Sequence, residues 1–266
     1  MKRLVLCAGL ALWGCASIPY DNIPRGAFSG LVMVVWVGPN TASFLGDGEF
    51  LYVPVRGREL TFSRSEAANP SGNSKVIQPQ AFYTDGGSVP RLVQAAKGFN
   101  AWGYGPAYII HDWIFVAKKC LNDAELPDHG QYLTDEVLKI SEMDFRESVS
   151  IMGETIKALV RDHDIDDGDS FSGPVIANVT AGPVSQRLWN EKGKCKDNQV
   201  KSEHQAVVDE LSGTGERAIL QSETILIERS AAFLSALENA SFGERLDVGG
   251  GLTAFAYGVA SLDTIN

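Results

Sequence analysis

The sequence predicts an α+β protein in which a small antiparallel sheet, at about residues 28–82, packs against a pair of helices. Residues 28–62 are rich in β-branched and aromatic side chains and are broken by Gly-Pro-Asn and Gly-Asp-Gly, a pattern typical of three short strands. Residues 75–82 resemble a further strand. Beyond them, apolar residues recur at helical spacing at about 104–120 and 133–161. These two helices should pack on each other.

The predicted globular domain covers residues 28–200 and is followed by an extension, 201–266. The extension begins with an amphipathic helical region, 202–242, and ends in a glycine-rich arm, 248–262. The arm is too short and irregular to span a membrane. We therefore expect one α+β domain with a helical appendage.

The start of the chain has the organisation of a bacterial signal peptide, with two basic residues ahead of a short apolar run. That run is too short to span a bilayer as a helix. It ends in Leu12-Trp13-Gly14-Cys15, which resembles the lipobox of bacterial lipoproteins, although Trp13 is bulkier than usual at its position. The resemblance implies removal of residues 1–14 and lipid on Cys15. The alternative is an ordinary secretory signal that happens to contain a cysteine.

Lipid on Cys15 would hold the chain on a membrane surface, because several acyl chains bury many methylene groups at about 0.8 kcal/mol each. Residues 15–27, with Pro19 and Pro24, are expected to form a tether between the anchor and the folded domain. No aspartate directly follows the cysteine, which resembles lipoproteins sent to the outer membrane of a Gram-negative host. The expected location is the cell envelope, on the periplasmic or outer surface.

The net charge and the cysteines limit which partners and which cellular compartment are expected. The formal net charge is −10 and no long basic cluster is present, so nucleic acid is not an expected partner. The expected partners are the membrane, through Cys15, and a lipid or an envelope protein. Of the four cysteines, Cys7 leaves with the signal peptide and Cys15 takes lipid. Cys120 and Cys195 remain, and an oxidising compartment favours a disulfide between them.

Several cofactor signatures are missing from the sequence. It contains no Walker loop, no dinucleotide-binding glycine pattern, no G-x-S-x-G elbow and no H-E-x-x-H pair. The acidic string 162–169 invites comparison with a calcium loop, but its glycine is one place late and no glutamate closes it, which favours a solvated turn. Calcium is the one cofactor that the residues below suggest.

One group of polar residues is predicted to carry chemistry. His111 and Asp112 lie inside the apolar first helix, where burial without partners would be costly. Asp85 lies in a glycine-rich segment, and Asp144 lies within the second helical stretch. The three carboxylates and the imidazole could converge on one site. The structural alternative is that His111 bonds to a backbone carbonyl and Asp112 pairs with Arg91 or caps a turn.

The order of the polar segments resembles a known family. The segment 81–91, Ala-Phe-Tyr-Thr-Asp-Gly-Gly-Ser-Val-Pro-Arg, is followed by the His-Asp pair and then by Met143-Asp144. Over roughly residues 30–190 this succession resembles the phage and bacterial family catalogued as domain of unknown function 1353. The family pattern has glycine in place of Ala81 and alanine in place of Gly87. The resemblance implies no established activity. Exclusion of other phages and assistance in lysis are two non-enzymatic roles to consider.

The His-Asp helix also resembles secreted phospholipases of the A(2) type, which carry His-Asp-x-x-Tyr on a helix. The resemblance implies that His111 is the general base on water, that Asp112 binds calcium and that Asp144 orients the imidazole. Phe115 takes the tyrosine position without its hydroxyl, and Asp85 is a further candidate calcium ligand. These residues predict a calcium-assisted hydrolase of an ester or phospholipid. The alternative is a non-enzymatic binding or structural lipoprotein in which they form a buried polar network.

Overall fold

The computed structural model describes residues 19–38, 49–85, 104–162, 172–212, 244–247 and 253–256. The strands of this part of the chain are β1 (Ala27–Ser29), β2 (Val34–Gly38), β3 (Glu49–Tyr52), β4 (Thr61–Ser63), β5 (Val76–Ile77), β6 (Phe82–Thr84), β7 (Glu244–Asp247) and β8 (Thr253–Ala256). Its α-helices are α1 (Gly105–Asn122), α2 (Asp135–Leu138), α3 (Phe145–Asp162), α4 (Ser172–Thr180), α5 (Pro183–Trp189) and α6 (Ser202–Ser212).

The strands form two antiparallel sheets, which confirms the predicted α+β class. One sheet has the order β1-β4-β5, and the other has the order β6-β3-β2-β8-β7. In the smaller sheet Phe28 lies opposite Phe62, and the two buried rings are 4.9 Å apart between centroids. Such cross-strand aromatic pairs fix the register, because a slip by one residue would turn both rings away from the core.

The predicted helix pair is present as α1 packed on α3. Most faces of α1 are buried, as its continuous apolar sequence predicts. The second helical stretch is not one helix over 133–161, however. The side chain of Thr134 caps α2 and that of Asp144 caps α3, where Oδ1 accepts a hydrogen bond from the amide of Glu147 at 2.7 Å. The intervening turn separates the two helices because each cap fixes a new helix start.

The expected tether is shorter than residues 15–27. Tyr20–Asn22 forms a 3-10 turn, and Ile23 is buried. Lys157 of α3 donates hydrogen bonds to the carbonyls of Asp21 and Ile23 at 2.9 and 2.8 Å. Residues 20–23 are therefore part of the folded body. The signal peptide and Cys15 lie in 1–18, outside the described residues.

The C-terminal extension joins the same fold. On α6, His204 Nδ1 lies 2.5 Å from the hydroxyl of Tyr83, and Val208 packs with the core beneath the larger sheet. The glycine-rich arm contributes β8, which pairs with β2. The extension therefore contributes both a helix and a strand to the fold. Residues 213–243, where more helix was expected, lie outside the described part. None of the helices described is both long and apolar enough to cross a bilayer.

Candidate functional site

The residues that the sequence singled out on α1 share one stripe of that helix. Tyr108, His111, Asp112 and Phe115 follow each other at spacings of three, one and three residues, which keeps them on neighbouring faces over two turns. Together with Thr84, at the end of β6, the residues Tyr108, His111 and Asp112 are here called the polar cluster. The polar cluster lies between the end of β6 and the helix α1, which begins after Tyr104.

Asp112 connects the sheet to the helix. Its Oδ2 accepts a hydrogen bond from the Thr84 hydroxyl at 2.6 Å, and its side chain is 24% exposed. Thr84 is buried, so the hydroxyl would be costly to leave without an acceptor. The carboxylate of Asp112 is thus committed to holding the end of β6 against α1.

The side chain of His111 is mostly buried, with 12% of its surface exposed. Its ring lies 4.8 Å from that of Phe115 between centroids, and its Nδ1 lies 3.7 Å from Asp112 Oδ1, beyond hydrogen-bond range. The Nε2 atom is buried and has no hydrogen-bond partner among the residues that the structure describes. A general base must reach the proton of a water or substrate, so this burial opposes the predicted role.

Tyr108 contributes a second buried polar atom to the cluster. Its hydroxyl also lacks a hydrogen-bond partner within the described ranges. Burial, followed by the nearby Tyr104 and Asp112, raises the pKa of Tyr108 far above the ordinary value of a phenol. The side chain is therefore neutral throughout the physiological range and cannot serve as a base.

Asp144 does not meet His111. Its carboxylate is exposed and accepts the Glu147 amide, as an N-cap does. Among the described contacts, no hydrogen bond joins Asp144 to the imidazole, and Nε2 of His111 is unpartnered. Asp144 is thus engaged as a helix cap in this structure, and its role as the acid that orients His111 stays a prediction.

The described residues do not assemble a set of calcium ligands. Asp85 directly follows Thr84, so Asp85 and Asp112 share one end of β6. No group of three or more His, Cys, Asp or Glu side chains in the described ranges is placed to hold a metal ion. Arg91 and most of the acidic string 162–169 lie outside those ranges. Calcium bound by Asp112 and Asp85 stays a prediction.

The structure contains the disulfide that the sequence predicted. Cys120, near the end of α1, is bonded to Cys195 across 75 residues of chain. Asp123 reinforces this connection, because its carboxylate accepts the amides of Gly193, Lys194 and Cys195 at 2.6 to 2.9 Å. Burial alone would raise the pKa of Asp123, but these hydrogen bonds and the nearby His129 lower it below its usual value.

A buried ion pair was missed by the sequence reasoning. Arg64, after β4, donates from Nε and Nη2 to the two carboxylate oxygens of Glu154 at 3.0 and 2.9 Å, and both side chains are 1% exposed. Arg64 also donates to Ser74 Oγ and to Glu147, which accepts the amide of Ser71 as well. The signal was Glu154, a charged residue on the apolar face of a predicted helix.

The comparisons with known proteins are negative. No family model matches the chain, no curated protein matches it, and no solved structure matches its fold. The resemblance to the family of domain of unknown function 1353 therefore stays a proposal that rests on the residues quoted above.

Proposed function

We propose that this chain is a lipid-anchored protein of the bacterial cell envelope that acts by binding and not by catalysis. Leu12-Trp13-Gly14-Cys15 supports the anchor. The Cys120–Cys195 disulfide supports an oxidising compartment outside the cytosol, because disulfides are rare where thiols are kept reduced. The partner belongs to the envelope, as a lipid or a protein. A prophage origin would agree with the resemblance noted above.

One observation carries the non-catalytic part of this proposal. Two carboxylates of the predicted site, Asp112 as calcium ligand and Asp144 as the acid beside His111, have structural tasks, since Asp112 holds Thr84 and Asp144 caps α3. An imidazole without an orienting acid, and with Nε2 buried, lacks the geometry of a general base. The polar cluster then serves to join β6 to α1.

A hydrolase built on His111 is the second candidate. The observation in its favour is the same Nε2 atom, which carries no hydrogen bond within the described ranges and is chemically uncommitted. The discriminating test is hydrolysis of short-chain esters and phospholipid vesicles, with and without calcium, by the native chain and by His111→Ala. The binding proposal predicts no turnover by either protein. Turnover by the native chain that His111→Ala abolishes while the fold persists would establish the hydrolase.

The anchor is tested by the mass of the mature protein. Expression in a bacterial host with labelled palmitate should give a product that lacks residues 1–14 and carries lipid. Cys15→Ser should abolish both changes, because the modified thiol is gone. Cys7→Ser is the matched control, since it removes a cysteine from the same segment and should leave lipidation unchanged. If the mature native protein has lost its signal peptide but has a mass without lipid, the segment is an ordinary secretory signal.

A further inference from the structure

The described residues expose few large apolar side chains, and these are unevenly placed. Of five such side chains, three lie on the adjacent helices α4 and α5. Val179 is 62% exposed, Val184 is 71% exposed and Leu188 is 39% exposed. Val184 and Leu188 are four residues apart and share one face of α5. Residues 180–183 separate Val184 from Val179. These three residues are here called the apolar corner.

The apolar corner lies close to the point at which the chain enters the fold. The ring of Tyr20 packs at the start of α4, where a Cβ added to Gly173 would lie 2.7 Å from the tyrosine hydroxyl oxygen. Burial raises the pKa of Tyr20 to about 12, as expected for a side chain seated in the body. From Gly173 to Val179 the helix rises only about 9 Å.

An anchor on Cys15 would leave the folded body little room to move away from the membrane. Four residues separate Cys15 from Tyr20, and the five steps between their Cα atoms cover at most about 18 Å in fully extended chain. Lys157 and the burial of Ile23 fasten the chain to α3 from that point on. Lipid on Cys15 would therefore keep the backbone of Tyr20, whose ring packs on the start of α4, within about 18 Å of the bilayer surface.

The charge of this region suits an anionic lipid surface. The whole chain has a formal net charge of −10, yet residues 172–201 carry five basic and two acidic side chains. Arg187 lies on α5 itself and is exposed, and so is Lys192. Basic side chains beside exposed aliphatic ones are the composition of surfaces that bind membrane interfaces.

We propose that the apolar corner lies on the bilayer that holds the lipid anchor, with Val179, Val184 and Leu188 in the headgroup boundary and Arg187 against anionic headgroups. This inference rests on the proposed lipidation of Cys15. The occupant of the corner is thus a lipid surface. The short tether orients the molecule, and the corner acts as a second, weak contact beside the covalent lipid.

The test is hydrogen exchange of the full lipidated chain in vesicles of phosphatidylethanolamine and phosphatidylglycerol, compared with full-length Cys15→Ser in solution. Amides of 179–188 should exchange roughly tenfold more slowly on vesicles, because short helices open readily until a face is covered. Val184→Glu with Leu188→Glu should remove this protection. Leu138→Glu is the matched control, since Leu138 is 45% exposed on α2.

Two outcomes separate the docking from the anchoring. Equal exchange of 179–188 in both states, with lipid present on Cys15 by mass, would overturn the docking and leave the anchor intact. Absence of lipid would overturn the anchor. The unlipidated chain would then decide the docking alone, because sedimentation with the same vesicles should fall at least about tenfold in the double glutamate variant. Sedimentation that is unchanged by the two glutamates, or absent in the native chain, would overturn it.

Discussion

The polar cluster on α1 and the apolar corner on α4 and α5 differ in what their side chains can reach. The cluster contains the residue types of catalytic sites, yet Asp112 is hydrogen-bonded to Thr84 and Nε2 of His111 is buried. The corner contains only aliphatic residues, and Val184 is 71% exposed. Residue type alone favours the first region as a functional site, whereas accessibility favours the second.

The comparison implies a division of labour between interior and surface. Substitutions among the interior polar residues should change stability and leave membrane contact alone. Substitutions in the corner should do the opposite. Interior polar groups differ in their burial and in their number of hydrogen-bond partners. The loss of stability on substitution should be largest for the group that is most buried and has most partners.

The largest loss is expected from the buried ion pair. Arg64→Met should lower the free energy of unfolding by about 3–5 kcal/mol, because Glu154 would stay buried without its counter-ion. Urea unfolding measures the change. Lys75→Met is the control, since its exposed ion pair with Glu66 should be worth at most about 1 kcal/mol. Similar small effects of both substitutions would mean that the ion pair does not hold the interior together.

A smaller loss is expected from Asp123. Asp123→Asn should cost about 1–3 kcal/mol at pH 7, because an amide group replaces one of the oxygens that accept backbone amides. The pKa of Asp123 is lowered on folding, so its contribution is complete above about pH 4 and is lost as the pH falls through the folded value.

Urea unfolding at pH 7 and at pH 3 measures both effects of Asp123. The native chain should lose stability on acidification, and Asp123→Asn should lose less. Exposed Asp128, which makes no such bonds to the 193–195 amides, provides the control substitution Asp128→Asn. An identical pH dependence in the native chain and in Asp123→Asn would refute the assigned role.

The polar cluster should give a modest loss. Thr84→Val keeps the shape of the side chain but removes the hydroxyl that donates to Asp112, and should cost about 0.5–1.5 kcal/mol. Thr61→Val is the control, since the partly exposed Thr61 hydroxyl donates to the nearby Glu59 carbonyl. The same unfolding measurement checks it. No loss in Thr84→Val would show that the contact between β6 and α1 is dispensable.

The features that could be predicted from the sequence are those encoded locally or by elimination. The apolar run of α1 predicts a buried helix, and the alternation around Phe28 and Phe62 predicts strands. The pairing of Cys120 with Cys195 follows once Cys7 is assigned to the signal peptide and Cys15 to the lipid anchor. Each of these inferences needs only periodicity or counting.

The features that were missed depend on distant pairing or on a local signal with two meanings. Arg64 and Glu154 are 90 residues apart, and β8 pairs with a strand more than 200 residues earlier. Asp144 is followed three residues later by Glu147, which is the spacing of a helix start, but helical periodicity obscured it. An aspartate beside an apolar pattern can either cap a helix or reach across the interface between two helices. Only the folded structure shows which of the two roles it has.

The division between interior and surface is tested most directly by two variants measured side by side, Asp112→Ala and Val184→Glu. Thermal melting and hydrogen exchange on vesicles are recorded for both. We expect Asp112→Ala to lower the melting temperature by roughly 3–8 °C and to keep the vesicle protection of 179–188. Val184→Glu should keep the melting temperature and weaken that protection. An Asp112→Ala protein that keeps native stability but loses a binding or hydrolytic activity would show that the polar cluster is a functional site.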